Sequence, residues 1–193
     1  MNWSSKNQLG SERGSATIEF AVSSILFMFL AFATVEYGVL YSERLAVTQL
    51  AREGASLASR NLTTNANMMN MLESTGGTLD LNGHPEKYSI HLAQVNGAVA
   101  AGNPPVCNVT SAGTLSHPDI HIPAPATNCD LPQNLYDYLE WDAALGAAAV
   151  NQFTVLKVYY QHNPLTPVGG MTPFLGGPGH QNTSLLLASR AIF

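Results

Sequence analysis

Charge is scarce in this chain. Only 11% of its 193 residues are charged, against roughly 25% in ordinary soluble domains. Such a surface suits a protein that meets neighbours or lipid over much of its area rather than water. The net charge of −5 excludes the basic footprint of a nucleic-acid-binding protein. No phosphate-binding P-loop, nucleophile elbow, zinc cluster or Rossmann fingerprint occurs, so the motifs of common enzyme classes are missing and no cofactor is implied. Proline is missing from residues 1–84, and no charged residue occurs between Phe20 and Val35. The first absence permits a long helix. The second permits that helix to enter a membrane.

A membrane helix needs about 20 mainly apolar residues. Thr17 to Tyr41 supplies them, with Glu19 and Glu36 toward the two ends. Those two carboxylates lie about 25 Å apart along a helix, slightly under the ~30 Å hydrocarbon thickness. Both therefore fall near the interfacial regions. A carboxylate there is still unfavourable enough to require a reason. Lys6 and Arg13 precede the span, and the next basic residue is Arg44. The positive-inside rule then keeps the N-terminus cytoplasmic and the bulk of the chain outside the cytoplasm.

Glu19 stands five residues after Gly14, behind a short polar leader. As a plain helix residue it is an N-terminal acid stabilised by the helix dipole. Two other readings of the segment are an unprocessed signal anchor and a secretory signal cut near Ala31-Phe32-Ala33. Against the latter, the apolar run continues past Ala33 without a break. Beyond the span, apolar or small residues recur at Leu40, Val47, Leu50, Gly54 and Leu57, which is helical periodicity. One helix is predicted from about Thr17 to Arg60, with a stripe that packs on the chain's own domain or on other subunits.

Gly14-Ser15-Ala16-Thr17-Ile18-Glu19-Phe20-Ala21 resembles the start of TadE-like proteins, the minor pilin-like components of tight-adherence (Tad/Flp) pilus systems. Gln49-Leu50-Ala51-Arg52-Glu53-Gly54-Ala55 resembles the A-R-x-G-A segment of that family. The resemblance is good over residues 10–60 and elsewhere extends only to general layout. It implies processing by a prepilin peptidase between Gly14 and Ser15, where a missing Cβ lets a protease approach the backbone closely. It implies a docking role for Glu19 and Phe20, with Glu19 pairing with a neighbouring subunit's new amino terminus. Such a pair would offset the unfavourable burial of a charge and set subunit register. The implied partners are other pilin or pseudopilin subunits, the peptidase, an inner-membrane assembly platform and membrane lipid. The implied location is the bacterial inner membrane or an extracellular pilus. The alternatives are a pseudopilin of a type II secretion or other pilin-like system, and a signal-anchored ligand-binding or enzymatic domain.

Residues 61–77, rich in Asn, Thr and Met, read as a frayed last turn or a second short helix ending at Gly76-Gly77. Met68, Met69 and Met71 read as gap-filling packing rather than a copper site. Thr78 to Leu81 predicts a short strand before an Asn82-Gly83 turn. Tyr88 to Val95 alternates as a strand does, and so does the stretch from Asn151. The end, Ser184 to Phe193, is predicted to pair antiparallel with Phe153–Tyr160. Residues 102–133 read as a proline-rich loop carrying Cys107 and Cys129, whose exported location argues for a disulfide. Within it, His117 and His121 flank prolines rather than sharing a helical face, so no metal site is inferred. Asn134 to Val150 is predicted to hold a short helix capped by Asp130 or Asn134. Residues 163–182 read as a Pro/Gly loop. Pro164-Leu165-Thr166-Pro167 and Pro173-Phe174-Leu175 in it resemble a loop of TadE-like and TadG-like proteins. The sequons at Asn61, Asn108 and Asn182 are expected by chance.

The predicted fold is α+β: a leader at 1–14, a transmembrane and assembly helix at 15–41, its extracytoplasmic continuation at 42–75, and a small antiparallel β-rich domain at 76–193.

Overall fold

The computed structural model describes residues 8–60, 64–166 and 185–193. The architecture is α+β. Helix α1 spans Gln8–Ser59, starting earlier than the expected Thr17. Helix α2 spans Asn65–Thr75, and its cap is Thr64, whose hydroxyl accepts from the Asn67 amide at 3.3 Å. The chain divides into two compact units, Met1–Leu40 with Asn163–Thr183, and Tyr41–His162 with Ser184–Phe193.

In the first unit the described part of α1 from residue 15 is exposed almost throughout, with Phe20 at 75% and Phe27 at 70%. This segment, with a mean hydropathy of 2.1, is long and apolar enough to cross a membrane. Within it the Thr34 hydroxyl donates to the Leu30 carbonyl at 2.8 Å, which keeps that polar group paired in apolar surroundings.

The second unit is built on a sheet of four strands: β1 (Tyr88–Asn96), β2 (Val106–Ala112), β5 (Gln152–His162) and β6 (Leu185–Ile192). They are antiparallel and lie in the order β2-β1-β5-β6. Two short strands, β3 (Trp141–Asp142) and β4 (Ala147–Ala148), form a separate ribbon. The last strand pairs with β5 in the predicted antiparallel sense, Leu156 opposite Ala191 and Tyr160 opposite Leu187.

Both faces of the central strands are covered. Leu92 and Leu156 face each other across β1 and β5, on the side where α1 and α2 lie. Val47, Leu50, Ala51, Gly54, Ala55 and Ala58 of α1 are all buried, so the chain's own domain takes up this stripe. Met68, Met69 and Leu72 are the buried face of α2, while Met71 is 48% exposed. On the opposite side Ala93, Val95 and Val155 pack with Cys129, Leu131 and Leu139. Burial on both faces explains why β5 is buried nearly end to end instead of alternating.

Several expectations fail here. Thr78 to Leu81 is not a strand: Gly77–Leu79 is a 3-10 turn, entered through Gly77 at φ +59° and left through Asp80 at +43°. The predicted loop contains strand β2, and the prolines of that stretch all lie outside the strand. The short helix expected in Asn134–Val150 is present as α3 (Gln133–Tyr136) running into a 3-10 turn at Asp137–Leu139, but it is preceded by Pro132 rather than capped by Asp130 or Asn134. The alanine run of that stretch turns into the β3–β4 ribbon, because apolar residues without a buried face to cover gain little from staying helical.

Cys107 and Cys129 form a disulfide with Cα atoms 6.3 Å apart. It ties β2 to a loop in which Asn128, Cys129 and Asp130 all have positive φ, from 51° to 60°. Each such residue costs roughly 1 kcal/mol or more, and such runs persist only where their surroundings over-determine them. Here the bond and the packing of Cys129 supply that constraint.

Two tests follow from the packing. A Cβ on Gly54 would stand 2.5 Å from Leu156 Cδ2 and 2.9 Å from Leu72 Cδ2, both leucines being fully buried. Gly54→Val is expected to lower stability by about 1–3 kcal/mol, read as a lower melting temperature of the full chain in detergent. Cys107→Ser is expected to remove about 3 kcal/mol, and titration of the unreduced wild-type chain is expected to find no free thiol.

Candidate functional site

The residues singled out for processing and docking all lie on α1. Gly14 and Ser15 fall within the helix Gln8–Ser59. Ser15, Glu19 and Phe20 are exposed. Among the described residues no ion pair engages Glu19. Its carboxyl group therefore projects from an otherwise apolar surface, and an ionised carboxylate in lipid is unfavourable until a cation meets it.

The other acid of the stretch has a different setting. Glu36 accepts from the Leu165 amide at 3.1–3.2 Å, from the Thr166 amide at 3.0 Å and from the Thr166 hydroxyl at 3.0 Å. Its reason for being in an apolar helix is thus visible within its own unit. Of the two proline-bearing motifs predicted nearby, this one is described up to Thr166. Pro167, the Pro173-Phe174-Leu175 motif, His180 and the Asn182 sequon lie outside the described residues, as do residues 1–7 of the leader and Asn61. Asn108 sits exposed on β2.

The second unit holds a polar network that the sequence did not reveal. His91, buried on β1, has Ser89 Oγ 2.9 Å from Nε2 and Ser111 Oγ 2.8 Å from Nδ1. Lys157 stands opposite it on β5 and reaches Asp130 Oδ2 at 2.5 Å and the His121 carbonyl at 3.3 Å. Arg190 on β6 donates to the Asp130 carbonyl at 3.2 Å. Burial, aided by the Lys157 ammonium, holds His91 below its ordinary pKa of 6.5. Elsewhere His162 lies 2.6 Å from Glu43 of α1. Tyr88 donates to Glu73 at 2.5 Å, with burial first and that carboxylate second raising the phenol's pKa. These are paired groups inside a packed domain, and that is how buried charge is tolerated.

His117 and Asp119 stand 3.5 Å apart, while His121 engages Tyr159 through its backbone. Among the described residues no three His, Cys, Asp or Glu side chains are grouped to hold a metal ion. A shallow groove of about 370 Å³ is lined by Ser42, Leu45, Gln49, Glu53 and Thr75. It offers one carboxylate without a histidine or a cation beside it, which is not a catalytic constellation.

Residues 14–56 match the family model described as TadE-like protein. The match covers Gly14, Ser15, Glu19, Phe20 and the Arg52-Glu53-Gly54 segment, so the N-terminal part of the chain is similar to TadE-like proteins. No curated protein matches the chain. No solved structure matches it either.

The depressed pKa of His91 sets a sign for pH dependence. Its neutral form is favoured in the fold, so its contribution to stability is complete above about pH 6.5 and is lost as pH falls below that toward the folded value. Denaturation of the full chain between pH 7 and pH 5 is expected to show falling stability, and His91→Gln is expected to flatten that slope.

Proposed function

We propose that this chain is a TadE-like minor pilin, or pseudopilin, that serves biogenesis of a bacterial Tad/Flp pilus and thereby surface attachment. The single observation that carries this reading is the exposed apolar helix with one carboxylate near its start, lying inside the segment that matches the TadE-like family. The role is structural rather than catalytic.

The mechanism follows from the physics of that helix. The precursor is held in the inner membrane by α1, with its N-terminus cytoplasmic. A prepilin peptidase cuts between Gly14 and Ser15, which creates a new α-amino cation and leaves Glu19 one helical turn away. A carboxylate in apolar surroundings is stabilised by a cation brought within a few ångströms. The new amino terminus of a neighbouring subunit is such a cation, so docking is favoured at the register that joins the two. Phe20 and the other exposed apolar side chains then exchange lipid for neighbouring helices. The second unit, with its disulfide-closed loop, presents the extracytoplasmic surface.

Mass measurement of the protein recovered from cells, with and without the peptidase, tests the first step. The expected N-terminus is Ser15, dependent on the peptidase. A chain starting at Met1 in both strains would leave a simple anchored protein and remove the case for Glu19. Glu19→Ala is expected to leave cleavage largely intact and to reduce pilus assembly at least several-fold, counted by electron microscopy. Normal piliation of that variant would sink the docking role.

A further inference from the structure

The contact between Glu36 and residues 165–166 does more than satisfy a carboxylate. Glu36 closes the uncharged stretch of α1, about 25 Å from Glu19 along the helix axis. A span anchored by Glu19 at one face of a ~30 Å hydrocarbon layer therefore brings Glu36 to the opposite interface. Whatever Glu36 grips is held at that depth. It grips two successive amides and a hydroxyl directly after Pro164, whose ring restricts φ and removes its own N–H from competition. The gripped amides belong to Leu165 and Thr166, and the Leu165 residue is 67% exposed. Next to Glu36 on the helix, Tyr37 is 68% exposed, and tyrosine is enriched at membrane–water interfaces.

We propose that residues 164–166 form a second membrane contact, with Leu165 seated in the headgroup–acyl boundary of the phospholipid bilayer and Glu36 as the residue that positions it there. The occupant is lipid because Leu165 is tied to Glu36, whose helix neighbours Val35 and Tyr37 are exposed at the end of the apolar span in the same unit. The proposal rests on reading α1 as a membrane anchor. It adds that the chain touches the bilayer twice, once through the helix and once through a segment far from it in sequence. A carboxylate at this depth is stabilised by the donors of the bend, and the bend is fixed by the carboxylate.

The test uses the full chain in phosphatidylcholine–phosphatidylglycerol vesicles, with single cysteines at Leu165, Phe27 or the exposed Asn103 labelled with an environment-sensitive dye. The native cysteines are joined to each other and do not react. Quenching is read with lipids carrying a nitroxide near the headgroup or near the chain end. The Phe27 label is expected to be quenched by the deep nitroxide. The Leu165 label is expected to be quenched by the shallow one, several-fold more than Asn103. Adding Glu36→Ala is expected to bring the Leu165 signal down toward that of Asn103 while leaving Phe27 unchanged. A Leu165 label as accessible to water as Asn103, with Phe27 still deep, overturns the proposal and spares the anchor. An unquenched Phe27 overturns the anchor and the proposal with it. Shielding of Leu165 that ignores both nitroxides and grows with protein density assigns the contact to a second copy, and also overturns it.

Discussion

Close approach of a helix to a sheet is the constraint on which the folded domain depends. Ala51, Gly54, Ala55 and Ala58 give α1 a nearly bare buried face, and Gly54 lies directly on Leu156 and Leu72. Small residues let the helix backbone sit near the strands, so the leucines of the sheet and of α2 fill the space that helix side chains would otherwise take. Interiors packed at this density do not yield to added volume. With one face of β1 and β5 sealed in this way, the other face needs a cover, and the segment from Cys129 to Leu139 provides it. The disulfide holds that cover to β2. Helix, sheet, loop and cross-link thus form one dependent series.

Scarcity of charge shapes the interior as much as the surface. The few ionisable groups drawn inward meet partners: Lys157 with Asp130, His162 with Glu43, Tyr88 with Glu73. His91 lies hydrogen-bonded between two serines. An unpaired charge in such a place would destabilise by several kcal/mol. Asp130 draws two strands to the strained loop, since Lys157 of β5 meets its carboxylate and Arg190 of β6 its carbonyl. On α1 the same rule divides the acids by role. Glu36 is satisfied inside its own unit, whereas Glu19 is exposed.

Legibility in the sequence followed the range of the physics involved. The apolar span needed only a count of residues without charge. Strands β1, β5 and β6 showed themselves through local composition and through the hairpin logic of the chain's end. Strand β2 did not, because Val106–Ala112 is a half-exposed edge strand set among prolines, and its identity comes from hydrogen bonds to β1. The alanine-rich stretch before Val150 carried helical propensity, yet propensity without a face to bury is too weak to decide. Asn128 and Asp130 are residue types that tolerate positive φ, but Cys129 between them carried no local sign of it.

What the sequence determined by itself is what depends on neighbours along the chain: a long apolar helix, the glycine-to-glutamate spacing at its start, the amphipathic stripe that follows, and a cysteine pair in a proline-rich stretch. What only the tertiary structure decided is which distant groups meet. His91 with Ser111, His162 with Glu43 and Glu36 with Thr166 are partners separated by up to 130 positions. No local rule couples residues so far apart, since their contact exists only once strands have paired and helices have packed. The long apolar helix could therefore be read from its own residues, and the reason one of its acids is tolerated could not.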